Sequence, residues 1–380
     1  MRIIVGTYAF RYPLGGMVSW NFQWVIGLKR LGHDVYVFEA SNYDYAWFDP
    51  VQGVVENDAR PGLTALMPLL QQHDLQEKYY LRQTDGTSFG LSDADANALL
   101  RDADLFIDLG TFGVFQHQFE GQYGPTVYID GEPGYTQMRE ILGKHKGEMV
   151  DYRRYYSNGA ALEHGGYIGP DADKFWWHVW NPVVCDLFAD IGPPPENAPV
   201  TTVMNWTSHD PLIFEGRTWR QKDVEFDKFI DLPARISVPA EVAVGNSPPV
   251  ERLRASGWRV IGGMEATASY EIYRDYIASS LAEFSVCKEG YVALNTGWFS
   301  DRSAAYLGAG RPVVMQDTGF GQFLPTGEGL FAAATLDEAV SAIDAIASDP
   351  QRHCAAAREI AREHLDGAVV LPRFLEHALS

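Results

Sequence analysis

The segment richest in groups able to do chemistry runs from Lys288 to Phe320. It reads Lys288-Glu289-Gly290-Tyr291, then Gly297-Trp298-Phe299-Ser300-Asp301-Arg302-Ser303, a short helix to Ala309, and finally Gly310-Arg311-Pro312-Val313-Val314 and Gln316-Asp317-Thr318-Gly319-Phe320. Ser300 or Asp301 suits the N-cap of that helix, where free amides and the helix dipole favour a phosphate. Arg302 and Ser303 in the first turn would meet the same phosphate oxygens from one side, although Ser-Asp is equally an ordinary capping sequence. After the buried strand that follows, Asp317-Thr318-Gly319 offers a carboxylate and backbone amides to a polar ligand. A second cluster, Asp130-Gly131-Glu132, lies just past another strand end; either carboxylate has the chemistry of a general base, and both are also ordinary turn residues. His164 and His209 are isolated histidines in polar or glycine-rich loops. Trp176, Trp177, Trp180, Trp206, Trp219 and Trp298 are able to stack on a sugar or base, or to fill a core.

These groups need a scaffold that gathers strand ends. The β-branched run from Arg2 to Thr7, a turn at Pro13-Leu14-Gly15-Gly16, a helix from about Ser19 to Leu31 stopped by Gly32, and the strand Asp34–Glu39 form a strand–helix–strand unit. Right-handed crossover makes its strands parallel and puts Gly15-Gly16 at the carboxyl end of the first, where open α/β sheets take ligands. Strands at 104–109 and 126–130 extend this sheet, whereas the Tyr-, Trp- and Gly-rich stretch 145–180 reads as an insertion, with a helix over 173–180. Gly192 to Pro199, with four prolines in eight residues, reads as a linker. The α/β rhythm then resumes, with strands at Val200–Trp206, Ile236–Val244, Trp258–Ile261, Glu283–Val286 and Pro312–Met315. Helices are expected near 250–256, 268–281, 301–309, 336–348 and 350–364, and a last one over Ala368–Leu379. The resulting expectation is an α/β chain of two Rossmann-like domains, 1–192 and 200–364, with 365–380 as a terminal helix.

Composition removes several alternatives. With 380 residues, one core is outgrown and two are expected. Fifty acidic against thirty basic side chains, a formal charge of −20, oppose general binding to nucleic acid or anionic lipid. The amino terminus enters a strand without a signal-peptide pattern, and no run of about 18 apolar residues would span a bilayer. Three cysteines, Cys185, Cys287 and Cys354, make no Cys-x-x-Cys pair and fit a reducing, cytoplasmic setting. Neither a Gly-x-Gly-x-x-Gly fingerprint nor a phosphate loop of the Gly-x4-Gly-Lys-Ser/Thr type is present.

Ala305 to Val314, Ala-Tyr-Leu-Gly-Ala-Gly-Arg-Pro-Val-Val, resembles the "Glu-x-x-Ala-x-Gly-x-Pro-Val-Val" element of the GT-B glycosyltransferases, with Ala305 at the often acidic, ribose-contacting position. Gly15-Gly16 ahead of a helix ending Leu28-Lys29-Arg30-Leu31-Gly32-His33-Asp34-Val35 is similar to their amino-terminal opening, and Gly216-Arg217 followed by Lys222 has the spacing of their diphosphate-binding pair. The resemblance implies a little-characterised bacterial branch, with two Rossmann-like domains facing across a cleft and the terminal helix returning to the first. It implies a glycosyltransferase moving a sugar from a nucleotide-sugar, as co-substrate and without metal, to a small molecule, glycan or nucleic acid. An epimerase or hydrolase of the same fold, or an idle binding subunit, are the alternatives. It further implies Arg217, Lys222, Lys288 and Arg302 as the donor cations, with Trp298, Ser300, Ser303, Asp317, Thr318 and Gly319 beside them. Gly15-Gly16 would face the acceptor, with Asp130 or Glu132 as base.

Overall fold

The computed structural model describes residues 1–111, 115, 123–143, 152–171 and 173–380. Two large sheets organise it. The first holds β1 (Arg2–Gly6), β2 (Asp34–Ala40), β3 (Tyr79–Arg82), β4 (Ser88–Gly90), β5 (Leu105–Asp108), β6 (Thr126–Asp130), β7 (Arg154–Ser157) and β8 (Trp176–His178), in the order β8-β7-β6-β5-β1-β2-β3-β4. Only β4 runs antiparallel to its neighbour. The second holds β9 (Val200–Asn205), β10 (Ala240–Gly245), β11 (Arg259–Gly262), β12 (Ala282–Ser285), β13 (Val313–Gln316) and β14 (Leu330–Ala333), in the order β11-β10-β9-β12-β13-β14 and parallel throughout. Parallel strands are covered on both faces, so they read as continuous apolar runs; Ile3, Ile4 and Val5 are wholly buried.

The helices that line the cleft or close the fold are α1 (Gly15–Arg30), α2 (Tyr135–Ile141), α3 (Lys222–Phe226), α4 (Tyr270–Ser279), α5 (Glu289–Ala293), α6 (Asp301–Gly308) and α7 (Gly367–Leu379). No helix among the described residues is long and apolar enough to cross a membrane.

Three local expectations give way. The stretch 145–180 is no insertion where it is described, because β7 and β8 continue the first sheet. The helix expected over 173–180 is instead strand β8, since Trp176 packs edge-on to Tyr155 and Tyr128 at 5.5 and 6.2 Å, in an aromatic cluster that only a sheet face assembles. Residues 144–151 and 172 of that stretch lie outside the described residues. Helix α1 begins at Gly15, inside the expected turn, and β3, β4 and β14 are strands that the sequence reading passed over.

The chain leaves the first sheet at Val183 and returns beside it at Asp366. Val183 donates its amide to Leu365 O at 2.8 Å and accepts from Gly367 N at 2.9 Å. Helix α7 then packs on α1, burying Val370, Leu371, Phe374, Leu375 and Ala378 in the core under β1 and β2. Phe374 meets Trp24 at 5.2 Å and Tyr156 at 4.9 Å, both edge-on. Phe374→Ala should therefore cost about 3–5 kcal/mol, read as a lower denaturant midpoint with an unchanged slope.

Candidate functional site

In each sheet the strand order reverses once, between β1 and β5 and between β9 and β12. Ligands of open α/β sheets bind outside the carboxyl ends at such points. The two carboxyl edges meet here: loops after β6 and β7 touch the segment after β12, through Glu132 to Lys288 and a bridge from Gly159 to Trp298.

Close backbone approach sets the spacing. A Cβ on Gly15 would lie 2.2 Å from Tyr273 Cβ and 2.5 Å from Ser269 O, so only glycine lets α1 start against α4. Gly16 beside it faces open space. On the other side Gly290 opens α5 under the ring of Tyr135; its amide donates to the Tyr135 hydroxyl at 3.1 Å, and that hydroxyl donates to Arg220 O. Tyr135, absent from the sequence candidates, thus joins α2 to both α5 and the loop before α3.

The two carboxylates after β6 differ. Asp130, almost fully buried, accepts from Thr136 Oγ1 at 2.6 Å, Glu132 N at 2.7 Å, Ser157 Oγ at 3.0 Å and Gln137 Nε2 at 3.5 Å, and so shapes the β6–α2 turn. Burial pushes its carboxyl above the ordinary range against those hydrogen bonds. Glu132 reaches the junction, where it pairs with Lys288, with Arg139 at 2.6 Å and with His209 at 3.7 Å. Burial would raise its carboxyl, but Lys288, then His209 and Arg139, hold it well below the ordinary range, so Glu132 stays ionised. Arg139 carried no signal in the sequence, since its partner is fixed only by the turn of α2.

In the second sheet β9 and β12 pair only at Val200–Ala282 and Thr201–Glu283, then part. Arg302 fills the gap. Its Nη1 donates to Val203 O at 2.7 Å, Nη2 to Ser285 Oγ and Nε to the wholly buried Glu283, so each nitrogen meets a protein acceptor. Lys222 opens α3 nearby and makes no ion pair or hydrogen bond among the described residues. Burial, then the charges of Arg302 and Lys288, push its pKa down to about 7, against the opposing pull of Cys287 and Glu283. The buried Gln221 Oε1 and Trp219 Nε1 next to it have no partner among the described residues either. Arg217 sits 3.8 Å over the Trp219 ring and pairs with Glu289 at 2.8 Å while half exposed.

Of the remaining candidates, Ser300 caps α6 and accepts from Arg302 N at 3.2 Å. Ser303 turns inward toward Met315 Sδ at 3.7 Å. Trp298 packs on Tyr291 at 4.5 Å and is largely buried. Thr318 Oγ1 donates to Trp298 O at 2.7 Å, and Asp317 accepts from Gly319 N at 2.8 Å, which folds the loop after β13 over Trp298. Among the described residues no three His, Cys, Asp or Glu side chains converge as metal ligands would.

No family model matches the chain. It is 29% identical over 119 residues to phosphoribosylamine–glycine ligases of two Neisseria meningitidis strains, a match that covers 31% of this chain. The chain thus spans about a quarter, 26%, of the length of the curated relatives it matches. Solved structures similar over the whole length include an alpha-glucosyltransferase in complex with UDP and a 13-mer DNA (TM-score 0.60, 10% identity, 100% of both chains). Another is Anabaena HepE in complex with UDP-glucose (0.57, 14%, 99% of both). A third is AviGT4, a glycosyltransferase involved in Avilamycin A biosynthesis (0.55, 14%, 100% of this chain and 97% of that). Two parallel sheets facing across a cleft, with a last helix returned to α1, make this a GT-B fold.

Arg302→Ala would strand Glu283 without a counter-charge between separating strands. The expected loss is about 3–5 kcal/mol of stability, measured by chemical denaturation.

Proposed function

We propose that the protein is a glycosyltransferase that takes a sugar from a nucleotide-sugar and passes it to an acceptor on the loops of the first sheet. The observation that carries this reading is Lys222, a partly buried amine that no carboxylate pairs with among the described residues, at the reversal point of the second sheet. A bound anion would favour its charged form. The full-length likeness to structures holding UDP or UDP-glucose supports a nucleoside diphosphate as that anion. The reading places the donor on residues 200–364 and the acceptor on 1–192, with 365–380 completing the first half.

Glycosyl transfer breaks the bond between the anomeric carbon and the diphosphate, so negative charge grows on the leaving oxygen as positive charge grows on the sugar. In this reading Lys222 neutralises the diphosphate, with Arg217 released from Glu289 and the amides at the start of α6 as further donors. Lys288 sits between that anion and Glu132, and Arg302 fixes the strands beneath. Asp317, Thr318 and Gly319 lie at the strand end that faces the sugar, and Trp298 supports their loop. Glu132, held ionised, is a weak base at neutral pH; it orients the acceptor hydroxyl by accepting its hydrogen bond while the leaving diphosphate takes the proton. Gly15 and Gly16 bring the start of α1 to the same space. A formal charge of −20 favours a small molecule or glycan over DNA as acceptor.

The lowered pKa of Lys222 makes binding pH-dependent with a definite sign. Above pH 7 the free lysine is mostly neutral, and a bound diphosphate restores its charge, so binding takes up a proton. Calorimetry with UDP in buffers of different ionisation enthalpy should show uptake of about one proton near pH 8, with affinity falling up to about tenfold per unit above pH 7. Lys222→Met should abolish both effects. Absence of UDP and UDP-glucose binding by the folded protein would overturn the reading.

A further inference from the structure

A single carboxylate ties the two halves together at the cleft, and its two oxygens face different halves. Glu132 Oε1 meets Lys288, which directly precedes α5, and His209 Nε2 at 3.7 Å. Its Oε2 accepts from Arg139 Nη1 of the first half at 2.6 Å. Arg139 can therefore keep the carboxylate paired without Lys288. The converse does not hold, because among the described residues Glu132 is the only carboxylate that pairs with Lys288. The lysine side chain is 8% exposed and lies between Tyr135 and Tyr291, 5.6 and 5.8 Å from their ring centres. An ammonium so enclosed gives up one anion only for another, since leaving it unpaired carries the full cost of its desolvation.

Hydrogen bonds on both sides of Lys288 join its segment to that of Lys222. Glu289, the next residue, accepts from Arg217 Nη2 and from Arg220 N, each at 2.8 Å, so the chain entering α3 rests on the start of α5. On the other side Gln316 accepts from Cys287 N at 3.0 Å and donates to Glu225 of α3. Of the two lysines on these joined segments, Lys222 has no carboxylate and Lys288 has one supplied by the opposite half. We infer that Glu132 holds the place of the donor's diphosphate: in the free protein it neutralises Lys288, and a bound nucleoside diphosphate takes Lys288 from it. Released, Glu132 stays ionised on Arg139 with Oε1 free for the acceptor hydroxyl. The acceptor's partner therefore becomes available only once the donor is seated.

This inference rests on the donor reading above, and the experiment separates the two. UDP is titrated by calorimetry into the full chain, Glu132→Gln, Lys288→Met and the double variant; Glu132→Ala replaces the glutamine variant should that one fail to fold, which melting curves report. Glutamine keeps the shape of the side chain and removes its charge, so Glu132→Gln should bind UDP about tenfold more tightly than the wild type. With methionine at 288 there is no ammonium to contest, and the same change at 132 should alter UDP affinity by less than about twofold. Unchanged or weaker UDP binding by both Glu132 variants would overturn the inference and leave the donor reading intact. Equal tightening with and without Lys288 would also overturn it, because Glu132 would then act by repelling the diphosphate directly. Absence of UDP binding by the wild type and by every variant removes the donor site, and both readings fall.

Discussion

A buried guanidinium–carboxylate pair holds the second sheet open. Strands β9 and β12 share hydrogen bonds over two residues and then separate, and Arg302 spans the opening from Val203 O to Ser285 while Glu283 balances its charge from below. A parted pair of strands exposes backbone groups that must be satisfied, and an arginine with a planar fork of donors does so across the gap. The same positive charge, once neutralised by Glu283, still lowers the pKa of Lys222, so the wedge that builds the crevice also tunes it.

The two halves of the cleft are joined by interactions of different character. At α1 and α4 the contact is steric, glycine against the Tyr273 Cβ and the Ser269 carbonyl. At Glu132 it is ionic, a carboxylate shared between Arg139 of its own half and Lys288 and His209 of the other. A steric seam resists approach, whereas an ionic one exchanges partners when an anion arrives. Lys288 pairs with Glu132 on one side and leads into α5 on the other.

Much of the architecture was legible in the sequence. The opening strand–helix–strand unit, the prolines at 193–199 and the resumed rhythm after 200 yield two parallel sheets because buried parallel strands announce themselves as uninterrupted apolar runs. The aromatic stretch at 154–178 misled because Tyr and Trp at short spacing fit either period until their sheet neighbours are known. At the site the residue types were visible and their duties were not. Arg302 reads as a phosphate ligand until Glu283, nineteen positions earlier, is brought beneath it by strand pairing. Lys222 showed only as a spacing; that no carboxylate among the described residues pairs with it is a property of the assembled fold.

Helix α7 belongs to the core of the first half although it follows the second half in the chain. Leu371, Phe374 and Leu375 cover α1 beside Trp24, a surface made of residues that precede the whole second half. During synthesis that surface has nothing native to cover it until α7 has emerged, so the half that is made earlier is completed after the other. The growing chain therefore carries an exposed apolar face while residues 200–364 fold behind it. A chain cut short ahead of α7 would be damaged in its first half.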